Sequence, residues 1–110
     1  MKKLTDIEEI RAAIAESDAV LLYISAPNCS VCDVLRPKID AFFAKRYPKV
    51  ARIQANIADT PELGAAFHIL SAPAILLFFE GKEFLREGRN VSLQQMAQKV
   101  DKIYNLYFED

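Results

Sequence analysis

Ala19-Val20-Leu21-Leu22-Tyr23-Ile24-Ser25-Ala26-Pro27-Asn28-Cys29-Ser30-Val31-Cys32 runs from an apolar stretch into a closely spaced pair of cysteines. Ala19 to Ser25 is rich in β-forming side chains and shows no polar alternation, which predicts a strand covered on both faces and central in its sheet. Ala26-Pro27-Asn28 breaks the run. An amphipathic segment follows from about Ser30 to Arg46, with Val34, Leu35, Ile39, Phe42 and Phe43 as the expected buried set. Cys29 therefore falls at a strand-to-helix junction. Pro37 lies inside the predicted helix, where proline removes one backbone hydrogen bond, kinks the axis and ordinarily costs about 3 kcal/mol.

Toward the N-terminus, Thr5-Asp6-Ile7-Glu8 reads as a capping box with Thr5 as the cap. Ile7, Ile10 and Ile14 follow at helical spacing, with Glu8, Glu9 and Arg11 between them, and this helix should end near Ser17-Asp18. Toward the C-terminus, Val50 to Ala55 predicts a strand. Thr60 then caps a short helix with Pro61 at its first position, ending near Phe67. Ala74 to Glu80 reads as a strand, Gly81-Lys82 as a turn and Glu83 to Glu87 as the hairpin partner, so the second half is partly antiparallel. Ser92-Leu93-Gln94-Gln95 is a second capping box, and Leu93, Met96, Val100, Ile103 and Tyr107 continue at roughly helical spacing. The predicted order is αβαβαββα, a single α/β domain over residues 1–110 with no repeat or linker.

A chain of 110 residues with 52% hydrophobic and 26% charged side chains can bury enough apolar surface to fold as one compact unit. Its 14 basic and 15 acidic side chains nearly cancel, so bulk charge favours neither nucleic acid nor an anionic membrane as partner. No apolar run approaches the roughly 20 residues needed to cross a bilayer, and Met1 to Asp6 leads into charged sequence, from which a cytoplasmic location is expected.

The two cysteines are the only ones in the chain, at C-x-x-C spacing. A loop so short would constrain an unfolded chain little, which argues against a structural staple. Zinc is the main rival reading, but a closed structural site takes four ligands, and the chain offers two Cys, His68 and carboxylates. Covalent haem attachment needs His directly after the second Cys, where Asp33 stands, and an iron–sulfur cluster would lack half its thiolates. No metal or cofactor is expected. Redox chemistry is the stronger reading. A helix N-terminus presents unpaired N–H groups and positive dipole charge, which favour a thiolate at Cys29.

The order of elements, with C-x-x-C between the first strand and second helix, resembles the thioredoxin family from about Ala19 to Val100. Cys29-Ser30-Val31-Cys32 stands at that family's active-site motif, Pro37 at its helix-kinking proline, and Ser71-Ala72-Pro73-Ala74 at its cis-proline loop before an apolar strand. Gly81 and Gly88 fall near its turn and late glycine. The resemblance implies a thioredoxin fold with a central mixed sheet flanked by helices, and a cis bond before Pro73. It also implies that Ala72 pairs with an extended substrate segment while Pro73 covers the thiols.

Three departures bear on function. Family members usually carry Trp-Cys-Gly-Pro-Cys, where this chain has Asn28-Cys29-Ser30-Val31-Cys32. Tyr23 stands where the family commonly buries an aspartate beneath the second cysteine, and Asp33 where a basic residue is frequent. The expected activity is reduction of protein or small-molecule disulfides. Cys29 attacks, Cys32 resolves the mixed disulfide, and a reductase or small thiol restores the dithiol. Asn28, Ala72 and Pro73 are the candidate substrate-binding residues. His68 is expected at a helix end, Tyr23 in the core, and Arg86 and Arg89 on solvated surface. The competing function is a binding module or redox sensor that grips partners through the Ala72-Pro73 groove without turnover.

Overall fold

A computed structural model describes residues 1–109. Its strands are β1 (Lys2–Lys3), β2 (Ala19–Ser25), β3 (Ala51–Asn56), β4 (Ala74–Phe79) and β5 (Lys82–Glu87). Its helices are α1 (Ile7–Glu16), α2 (Ser30–Arg46), α3 (Leu63–Phe67) and α4 (Leu93–Tyr107). The strands form one mixed sheet in the order β1-β3-β2-β4-β5. β3 is parallel to both β1 and β2, whereas β4 runs antiparallel to β2 and β5.

Every residue of β2 is buried, as the apolar run predicts for a central strand. Successive side chains of a strand point to opposite faces, and the sheet sorts accordingly. Leu21, Ile75 and Leu77 pack with Ile39 and Phe43 of α2 and Met96 and Val100 of α4. Val20, Leu22 and Leu76 pack with Ile10 and Ile14 of α1 and Leu63 of α3. Each fully buried Leu, Ile or Phe contributes about 1.5–3 kcal/mol relative to exposure, so both helical layers are held mainly by this sheet.

Several expectations are corrected. Lys2–Lys3 is a strand, so the order of the described elements is βαβαβαββα; this exposed two-residue edge lacks apolar periodicity and exists because β3 offers partners at Ile53 and Gln54. The cap of α1 is Asp6, whose carboxylate accepts from the Glu8 amide at 3.0 Å, and not Thr5. Thr60 caps no helix; its buried hydroxyl donates to the Thr5 carbonyl at 2.6 Å, and α3 begins only at Leu63. Val34 is 58% exposed instead of buried, while Leu35 and Phe42 are partly covered. The hairpin turn is Glu80-Gly81, one residue earlier than expected. Both residues have positive φ, 50° and 77°, as a two-residue turn matched to strand twist requires. Ser92 caps α4 as expected, accepting from the Gln95 amide at 3.2 Å.

Candidate active site

β2 delivers the chain to the site. Beyond Ser25, Asn28 is exposed with φ of 57°, a left-handed conformation that asparagine tolerates, and it turns the backbone into α2. Cys29 caps α2, and its Sγ accepts from the Cys32 amide at 3.2 Å. The two cysteines are joined as a disulfide with their Cα atoms 5.3 Å apart. Their surroundings differ sharply, since Cys29 is half-buried and Cys32 fully buried.

Beneath the pair, the fully buried Tyr23 donates its hydroxyl to the Cys32 carbonyl at 2.9 Å. Burial pushes the Tyr23 phenol up to about 12, so it remains a protonated donor throughout the neutral range. Tyr23 is thus a core residue, as expected, and also a hydrogen-bonded prop under the first turn of α2. Asp33 is turned outward, its side chain 73% exposed and 3.5 Å from the Arg36 guanidinium.

The Ala72–Pro73 peptide is cis, as the resemblance implies. Ala72 joins Asn28, Cys29 and Ser30 in lining a cavity of about 250 Å³. Pro73 is buried and instead lines a neighbouring hollow of about 320 Å³ with His68, Ser71 and Gly88. A side chain at Gly88 would start 3.8 Å from the Pro73 carbonyl, in ordinary contact. His68 ends α3 in a left-handed conformation, φ 54°, and lines this hollow but not the cavity beside Cys29.

Arg86 and Arg89 are exposed, as expected, and the structure also gives both specific placements. Arg86 donates to the carbonyls of Phe67 and His68 at 2.7 and 3.0 Å and pairs with Glu83, which ties β5 to the loop leading to Pro73. Arg89 lines the cavity beside Cys29. Neither placement has a local signal, because each depends on how the β5 region folds back against a distant loop.

The comparisons with known proteins agree with this geometry. The thioredoxin family model matches residues 2–102. The chain is 33% identical over 110 residues to the thioredoxin-like protein YdfQ of Bacillus subtilis, covering 97% of each chain. It is also 32% identical over 91 residues to the thioredoxin of Rickettsia felis, covering 82% of this chain and 84% of that one. Among solved structures, oxidised thioredoxin from Plasmodium falciparum superposes with a TM-score of 0.80 at 19% identity, over 94% of this chain and 98% of that one, which speaks for the fold. With the mixed five-stranded sheet and a C-x-x-C pair at the mouth of α2, these matches show that the chain belongs to the thioredoxin family.

Proposed function

We propose that the protein is a thiol–disulfide oxidoreductase that reduces disulfides of proteins or small molecules, with Cys29 as nucleophile and Cys32 as resolving thiol. The observation that carries the assignment of roles is their unequal exposure, since a substrate sulfur can approach half-buried Cys29 but not fully buried Cys32.

In the reduced protein the Cys32 amide, together with the positive end of α2, stabilises a thiolate at Cys29. That thiolate attacks one sulfur of the substrate disulfide and expels the other as a thiolate, which takes a proton from water. Cys32 then loses its proton and attacks Cys29, releasing the second substrate thiol and leaving the Cys29–Cys32 disulfide. The substrate gains two electrons and the pair loses two. A reductase or small thiol returns them and closes the cycle. Asn28 and Ala72 border the approach to Cys29, and Pro73 follows in the same loop, which supports their role in holding the substrate segment.

The test is trapping. Cys32→Ser, presented with a disulfide substrate, should accumulate a covalent mixed disulfide by intact mass, and Cys29→Ser should trap nothing. Equal trapping by both variants overturns the roles. Insulin reduction with a recycling thiol should show multiple turnover, whereas stoichiometric oxidation without turnover would mark a redox sensor instead.

A further inference from the structure

The turn Cys29-Ser30-Val31 is flanked by two hollows, and each has a single charged residue in its lining. Arg89 shares the first, about 250 Å³, with Cys29, Asn28 and Ala72. Lys38 stands in the second, about 280 Å³, with Val31, Val34 and Leu35. Among the described residues no carboxylate lies within ion-pair distance of either cation. The acidic neighbours in sequence are engaged elsewhere, Asp40 with the N-terminal amine and Arg52. Asp33 pairs with Arg36 and lines a separate polar hollow with Lys3 and Gln54, and Glu87 pairs with Lys99 at 3.8 Å. The positive end of α2 adds to the same field. The approach to Cys29 is therefore cationic in a chain whose net charge is −1.

From this juxtaposition we infer that Arg89 is a specificity-determining residue that selects disulfides flanked by a carboxylate. The inference rests on the oxidoreductase reading above and deepens it. A carboxylate beside the reacting sulfur would meet an unpaired guanidinium on the cavity wall, which can hold it through two parallel N–H donors. A cationic disulfide would meet repulsion there. Exposed charge pairs are individually modest, so the effect is one of preference among substrates.

The experiment uses pre-reduced protein, quenched by alkylation and read by mass. Its probes are oxidised glutathione, which carries carboxylates, cystamine, which is cationic, and bis(2-hydroxyethyl) disulfide, which is neutral. A second arm uses two disulfide-linked peptides that differ only in Asp or Lys beside the cysteine. In wild type the anionic member of each arm should react faster, and the advantage should shrink at high salt. Arg89→Glu should lower the anionic-to-cationic rate ratio about fivefold or more, and Arg89→Lys, which keeps the charge but not the paired donors, should retain the sign of the preference at reduced size. Lys102→Glu, an exposed change of equal net charge on α4, should leave the ratio in place. Dependence on Arg89 in the glutathione arm alone assigns the subsite to small disulfides, and in the peptide arm alone to protein segments. A ratio unmoved by Arg89→Glu in both arms, or moved equally by Lys102→Glu, overturns the inference. Failure of wild type to reduce even the neutral probe would instead overturn the oxidoreductase reading itself.

Discussion

At the far end of α2, the buried Tyr47 hydroxyl donates to the Asp101 carboxylate at 2.6 Å, and the Arg46 guanidinium reaches the same carboxylate through two bonds of 2.9 and 2.6 Å. At the mouth of α2, the buried Tyr23 hydroxyl donates to a neutral carbonyl, and the Cys32 amide donates to a sulfur that must change partners during exchange. The first clamp is charge-assisted and ties α2 to α4. The second is neutral in the disulfide form and passes through the reacting atom. The Arg46–Asp101 pair is partly exposed and adds little by itself, but the part-buried Tyr47 bond goes to a charged group, a class worth about 1.5–3 kcal/mol against about 0.5–1.5 kcal/mol for neutral bonds. The helix is thus anchored more firmly at the end remote from the cysteines, which leaves its mouth able to carry a thiolate, a mixed disulfide or a closed disulfide in turn.

The sharpest break is Cys29→Ser. Serine is itself a good helix cap, so the reduced variant should unfold within about 0.5 kcal/mol of reduced wild type while disulfide exchange stops. Denaturant titration beside an exchange assay checks both. A large loss of stability would mean that the mouth carries more of the helix than its neutral bonds suggest.

Next in size is Tyr23→Asp, which would place a base beneath Cys32. Where the variant folds, decay of the mixed disulfide should quicken by about 10²-fold, the usual scale of a well-placed proton acceptor, and stability should fall because a carboxylate is costly to bury. Stopped-flow decay rates decide it, and an unchanged rate in the folded variant refutes the argument.

The paired removal of single hydroxyls sharpens the contrast directly. Tyr47→Phe should cost about 2 kcal/mol and leave exchange rates unaltered, whereas Tyr23→Phe should cost about 1 kcal/mol and alter the resolving step. Equal costs with no kinetic difference would erase the distinction between the two ends.

The smallest effect is in acid. Hydrogen bonds from Arg46 and then Tyr47 hold the Asp101 carboxyl down at about 2, below its ordinary range. A carboxyl lowered in the folded state stabilises the fold above its unfolded value of about 3.9, and that share is lost as pH falls toward 2. Asp40 is lowered too, despite an opposing contribution from burial, through the N-terminal amine and Arg52, and so adds to the same acid limb. The loss assigned to Asp101 should therefore be read as the difference between wild type and Asp101→Asn in unfolding titrations from pH 5 to pH 2. Because the Arg46–Asp101 pair is partly exposed, this difference should be modest and shrink with added salt.

The amino-acid sequence by itself determined those features that neighbouring residues decide together. The apolar run of β2 has one sensible place in a sheet. Ser92 has its amide partner three residues on, and the cysteine pair begins a helix because Asn28 turns the chain just before it. Tertiary structure decided what depends on partners distant in sequence. Lys2–Lys3 becomes a strand only because β3 has a free edge, and Thr60 turns from cap to donor because the Thr5 carbonyl lies beside it. Val34, by contrast, lies nearly opposite Cys32, Ile39 and Phe43 around α2, so its exposure follows from the helical period itself. Tyr23 finds the Cys32 carbonyl, and Arg89 the cavity of Cys29, through the packing of strand, helix and loop. Periodicity and capping act over a few residues and can be read along the chain, whereas a contact between distant residues exists only once the sheet has brought them together.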